Sequence, residues 1–169
     1  MNETRTSYLE VVRRLEDAGV SLEPGSEKER LAIERFEGLL GDFKALDFVP
    51  RIRHVYAEDV YFNDTLKTIR GVDELETYLA DSADAVEVGT VEFLDRAVAN
   101  GNHYFRWEMR LRFKKLRRGV LTRSLGVSHI RFDAEGRVAL HQDFWDSASG
   151  LFEHVPVVGG LIRTIKKRL

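Results

Sequence analysis

The chain has 169 residues, 43% of them hydrophobic and 32% charged, with a formal net charge of −2. This bounds it to one globular domain with room for a core, gives no bulk-charge sign of a nucleic-acid or acidic partner, and, because cysteine is absent, excludes thiol catalysis, disulfides and cysteine-based zinc sites. The sequence shows no leader-like apolar run flanked by basic residues and no stretch suited to spanning a bilayer, so a cytoplasmic protein is expected.

Tyr8, Leu9, Val12 and Leu15 recur at helical spacing between about Thr4 and Ala18. That helix should end near Gly19, and Pro24-Gly25 then breaks the chain. Residues 1–25 therefore read as a helical arm outside the core. Ser26 with Glu29 forms a capping-box pattern ahead of a helix carrying Ile33, Phe36, Leu40 and Phe43 on one face. Asp47 is placed to cap another helix, with Pro50 in its first turn and Val49, Ile52, Val55 and Tyr56 pointing inward. Val60 to Asp64 reads as a short strand. Gly71 then turns the chain into a helix through Leu75, Tyr78 and Leu79.

The second half is rich in strands. Val86 to Ala97 is one strand, bent at Gly89, and Asn100-Gly101-Asn102 is a hairpin signal. Phe105, Trp107, Met109, Leu111 and Phe113 alternate with Arg106, Glu108, Arg110 and Arg112, a period of two with one apolar and one charged face. Leu121 to Phe132 puts Thr122, Ser124, Gly126 and Ser128 on one face, where small residues leave space. Ile130 to Arg137 carries a Gly-containing turn into a last strand, Ala139 to Trp145. Helices first and strands after is the α+β order. The expected architecture is a cone: a curved antiparallel sheet wrapped around the N-terminal helices, over residues 26–150. Residues 151–169 read as a C-terminal amphipathic helix, with Leu161, Ile162, Ile165 and Leu169 set against Arg163, Lys166, Lys167 and Arg168. Packing across the cone mouth or against the barrel is preferred for it over lying on a membrane surface.

Strand parity sends His141, Asp143 and Trp145 to one face of the last strand. Asp64 should also face the cone. Carboxylates in an apolar cavity have raised pKa values and can shuttle protons near neutral pH, and His141 could orient an aspartate or act as an acid. The alternative is that each acid only bonds neighbouring groups. Trp107, Trp145, Phe105, Met109 and Phe62 would line the cone as a site for an apolar ligand, or simply pack. His54, His103, His129 and His154 lack metal-site spacing and read as surface residues, so no metal is expected. Arg106, Arg110, Arg112, Lys114, Lys115, Arg117 and Arg118, with Arg123 and Arg131 on the next strand, make the outer sheet face basic. A solvated face, or a dimer contact with acids such as Glu92 and Glu108, is the preferred reading over an RNA-backbone site.

The segments Tyr56-Ala57-Glu58-Asp59-Val60-Tyr61-Phe62-Asn63-Asp64, Ile69-Arg70-Gly71-Val72-Asp73-Glu74-Leu75, Ile130 to Arg137 and Asp143-Phe144-Trp145-Asp146 resemble the nuclear-transport-factor-2-like superfamily. Within it the likeness is to the SnoaL-like and ketosteroid-isomerase-like branch, over roughly Ser26 to Leu151. By that resemblance Asp64 matches the general base of ketosteroid isomerases, Tyr56 their helix tyrosine and Trp145 their active-site tryptophan. Their oxyanion-hole donors fall on Phe36 and Ser128, and phenylalanine donates nothing. In the limonene-epoxide-hydrolase branch the last-strand aspartate matches Asp143, while the arginine and second aspartate fall on Trp107 and Met109. The resemblance implies a cofactor-independent isomerase, cyclase, dehydratase or hydrolase acting on an apolar small molecule. Asp143, Asp64 and His141 would be catalytic; Trp145, Trp107, Tyr56, Phe62, Phe36, Met109 and Ser128 would bind the ligand. The alternative is a non-catalytic ligand-binding or dimeric interaction module of the same fold. A homodimer through the sheet face is expected.

Overall fold

Ser26 begins the first core helix as its cap: its hydroxyl accepts from the Glu29 amide at 3.1 Å, while the Glu29 carboxylate reaches one residue beyond the box position, to the Gly25 amide at 2.7 Å. In the computed structural model, which describes residues 3–115 and 119–146, this helix is the second of four. The elements run α1 (Glu3–Asp17), α2 (Glu27–Leu40), α3 (Phe48–Val55), β1 (Tyr56–Asn63), β2 (Thr68–Arg70), α4 (Val72–Asp84), β3 (Val86–Ala99), β4 (Asn102–Phe113), β5 (Thr122–Phe132) and β6 (Val138–Trp145). The fold is α+β, with a curved, unclosed six-stranded sheet in the order β2-β1-β6-β5-β4-β3.

The strands β3 to β6 form an antiparallel meander because each pair is joined by a short connection. At the β3–β4 turn Asn100 and Gly101 take φ values of 52° and 75°, the left-handed pair that a two-residue hairpin needs. One pairing departs from the all-antiparallel expectation. β1 lies parallel to β6, with Tyr61 opposite Leu140 and Phe62 opposite His141. β1 enters from α3 rather than from a hairpin with β6, so no turn fixes their relative direction.

The concave face packs on α2, α3 and α4. Phe36, Leu39, Ile52, Leu75, Phe105 and Ile130 are fully buried there, and burying each such side chain contributes roughly 1.5–3 kcal/mol. The convex face carries a second, smaller cluster. Val11 of α1 packs on Tyr61 and Leu140, joined by Tyr8, Val12 and Leu15.

Several local expectations change. Asp47 makes no side-chain cap bond, because its carboxylate turns toward Arg51, 3.8 Å away. Val49 is exposed, and Tyr56 opens β1 instead of ending a helix, so that strand starts four residues before Val60. His103 and His129 are not surface residues; both are 1% exposed, His103 inside against Glu29 and His129 beneath α1. Arg131 likewise leaves the exposed basic stripe: α1 covers it, and it bonds Asn102 and the Val20 carbonyl. The remaining stripe is largely neutralised, with Arg106 on Asp95 and Arg110 on Glu92 and Glu108. Of the expected C-terminal helix, residues 151–169 and His154 lie outside the described residues, as do Arg117 and Arg118.

Candidate functional site

Between the sheet and the helices α2 and α4 lies a cavity of about 240 Å³. Its wall is mostly apolar and aromatic: Phe43, Phe62, Phe93 and Phe113 contribute rings, with Leu40, Leu79, Val91 and Met109 between them. Both tryptophans of the chain, Trp107 and Trp145, also face it. The small inward residues of β5 make the room. A Cβ at Gly126 would fall inside van der Waals contact with the Trp107 indole and 2.8 Å from the Trp145 Cβ, so only glycine lets both indoles pass across this strand.

The polar part of the wall is one connected cluster. β6 parity brings His141, Asp143 and Trp145 to the cavity together, and Ser128 reaches it from β5, directly opposite Asp143. Trp107 Nε1 donates to Ser128 Oγ at 2.8 Å, and Ser128 in turn donates to Asp143 Oδ1 at 2.5 Å. His141 Nε2 lies 2.8 Å from the same Asp143 oxygen, and its Nδ1 lies 3.0 Å from the Tyr56 hydroxyl. Burial first, and the Asp143 charge second, push the Tyr56 phenol well above its ordinary pKa. Tyr56 therefore keeps its phenol proton; an ionised Asp143 can only accept, so Nε2 donates to it, and in the neutral imidazole Nδ1 then accepts from Tyr56. Asp143 Oδ1 thus accepts two bonds. Oδ2 has no bond to another described residue and is the carboxylate oxygen left for the cavity.

Asp64 also lines the cavity but is committed to the β1–β2 turn. Its Oδ1 accepts from the amides of Leu66 and Lys67 at 3.0 and 2.9 Å, and its Oδ2 accepts from the Tyr78 hydroxyl. The Asp64 carbonyl holds Trp145 Nε1 at 2.7 Å. Burial, then the bond to Asp64, raise the Tyr78 pKa, so this phenol too remains a donor.

Of the residues singled out from sequence, Asp143, Asp64, His141, Trp145, Trp107, Phe62, Met109 and Ser128 all meet at this one cavity. Phe36 and Tyr56 do not reach its wall. They stand behind His141, Tyr56 stacked on it at 6.0 Å and Phe36 edge-on at 5.5 Å. Phe105 is likewise core, packed on Phe36. Tyr78 was legible only as an inward helix residue; its hydroxyl on Asp64 is new. Among the described residues no cluster of three or more His, Asp or Glu could hold a metal, and no helix is long and apolar enough to cross a membrane.

The model of the SnoaL-like domain matches residues 40–141, more than half of the chain. Solved structures share the fold at low identity. A limonene-epoxide-hydrolase-like epoxide hydrolase of M. tuberculosis is 15% identical, with a TM-score of 0.62 over 86% of this chain and 96% of its own. A candidate SnoaL-like polyketide cyclase of Shewanella denitrificans OS-217 is 15% identical, with a TM-score of 0.61 over 73% of this chain and 94% of its own. A protein of ketosteroid isomerase-like fold from Catenulispora acidiphila, in complex with trimethylamine, is 13% identical, with a TM-score of 0.61 over 71% and 88%. No curated protein matches the chain in sequence.

Proposed function

The chain belongs to the SnoaL-like domain family, and from that premise we propose that it binds a compact apolar small molecule in the cone and moves a proton on it with Asp143. One observation carries the proposal. Asp143 lines an apolar, aromatic cavity, with one oxygen tethered by Ser128 and His141 and the other without a bond to a described residue. A carboxylate held in that way is a positioned base when ionised and a positioned acid when protonated. Ser128, His141 and Tyr56 hold it in place; Asp64 shapes the rim through the turn it caps. The volume lies just under the roughly 300–1,000 Å³ of ordinary ligand pockets, so the ligand is small. The reaction classes that fit are isomerisation, cyclisation, dehydration and hydrolysis without a cofactor. The epoxide hydrolase and polyketide cyclase folds named above support the class of chemistry, not the substrate.

The test uses compact apolar ketones, epoxides and amines incubated in D2O with native protein and with Asp143→Asn, read by mass spectrometry. Carbon-bound deuterium, or added water, should accumulate with native protein and fall by about 10²-fold or more in the variant. Equal turnover in both would remove Asp143 from the chemistry. A binding-only reading is favoured by Asp64, whose oxygens are both occupied by the chain's own donors, leaving no second acid poised on the wall. Ligand retention without any mass change would establish that reading.

A further inference from the structure

We infer that the cavity is built for a lipophilic amine, an organic ammonium whose charge rests against the open oxygen of Asp143 and whose hydrocarbon part rests on the aromatic wall. The inference depends on the small-molecule reading above and names the ligand class.

It follows from which hydrogen-bonding groups the wall has left to offer. Every side-chain donor on the described wall is already used by the protein. Trp107 donates to Ser128, Ser128 to Asp143, His141 to Asp143, Trp145 to the Asp64 carbonyl, Tyr78 to Asp64 and Ser82 to the Tyr78 carbonyl. The polar atom that remains for a ligand is an acceptor, Asp143 Oδ2. Against an ionised Asp143, a ligand bearing only acceptors would find no side-chain partner, and burying its polar group unpaired costs about 1–3 kcal/mol. A donor is what this wall selects.

Charge narrows the choice further. The described wall carries two carboxylates and no lysine or arginine. Lys67, the cation beside it, is bound to Glu74 at 2.9 Å and sits 5.5 Å from the Tyr78 ring. His141, the other basic side chain on the described wall, is turned to the tethered oxygen, with Nε2 2.8 Å from Asp143 Oδ1. No lysine or arginine of the described wall stands at the second Asp143 oxygen, and an ammonium there would complete a charge-assisted pair in an apolar setting. The aromatic faces add to this. With both indole N–H groups turned into the protein, Trp107 and Trp145 offer the ligand ring carbon rather than a donor, and Phe62 and Tyr78 meet at 6.0 Å and 59° on the same wall. An aromatic wall suits an alkylammonium, which is attracted to ring faces. An anion would meet two carboxylates and no lysine or arginine on the described wall.

The two tryptophans that line this cavity are the only ones in the chain, so intrinsic fluorescence reports on it directly. Three probes of matched shape make the experiment: N,N-dimethylbenzylamine, protonated at neutral pH; isobutylbenzene, its neutral carbon analogue; and phenylacetate. The amine should shift tryptophan emission and bind at least tenfold more tightly than isobutylbenzene, with phenylacetate weakest. In Asp143→Asn the ratio of amine to hydrocarbon affinity should fall toward one. Isobutylbenzene binding as tightly as the amine to native protein would overturn the amine assignment and leave the small-molecule reading standing. Emission unmoved by all three probes would overturn both. The native three-probe comparison decides the matter even where the variant does not fold.

Discussion

Tyr56 shows how much of the site a single residue can determine without touching the cavity. Its hydroxyl pairs with His141 Nδ1 at 3.0 Å and so holds the ring whose Nε2 meets Asp143 at 2.8 Å. Tyr56→Phe keeps the ring and removes only that donor, leaving Nδ1 of a 2%-exposed histidine without a partner. Stability should fall by about 1–3 kcal/mol, measured as a lower urea midpoint at unchanged slope. A loss below about 0.5 kcal/mol would mean the bond is not formed in solution. The sequence made part of this cluster legible. Strand parity alone puts His141, Asp143 and Trp145 on one wall. Parity cannot say what each one bonds. Pattern places Ser128 on the inner face of its strand and Tyr56 inward, but only the family resemblance assigns them to the site, and the Tyr78–Asp64 bond depends on how closely α4 approaches the β1–β2 turn, which no local pattern encodes.

At the scale of elements, β5 is the strand that hollows the cone. Thr122, Ser124, Gly126 and Ser128 share its inner face, and Gly126 sits directly opposite Trp107 on β4 and Trp145 on β6. Gly126→Ala would force a methyl group against the Trp107 indole. The ring is rigid and tied to Ser128, so it must rotate into the cavity or strain the strand, an overpacking cost of roughly 1–3 kcal/mol. The expected outcome is a shifted tryptophan emission and weaker ligand binding together with lower stability. An unchanged spectrum would show that the indole does not lie over this strand. The spacing of small residues announced this space before any coordinates did. The same alternation could have placed His103 inward, since it keeps phase with Phe105 and Trp107. The opposite phase puts His129 outward, and there the pattern misleads, because α1 covers what would otherwise be surface.

At the scale of the whole molecule, α1 gives the sheet a second buried face, and that face is polar at its centre. His129 Nε2 donates to Asn102 at 2.7 Å and its Nδ1 accepts from the Tyr8 hydroxyl at 2.8 Å. Tyr104 stacks on the ring at 4.8 Å. Arg131 and Glu16 complete the charged surroundings. Burial, then the charges of Arg131 and His103, lower the His129 pKa from 6.5 to about 4. Burial also raises Tyr8 to about 12, so it stays a donor. A protonated His129 would lose that acceptor site and face Arg131. Between pH 6.5 and pH 4 the unfolded chain therefore binds a proton that the folded chain refuses, and stability rises with pH across this window. At about 1.4 kcal/mol per unit, acidification through it should cost on the order of 3 kcal/mol from this one group. Carboxylates also titrate there, so the quantity to read is a difference. Urea unfolding at pH 7 and pH 4 should show native protein losing about 3 kcal/mol more than His129→Gln. Parallel losses would mean that His129 already reaches solvent and that α1 does not hold the sheet as described. Beyond α1 the convex face stays open, with Leu125 60% and Phe144 51% exposed.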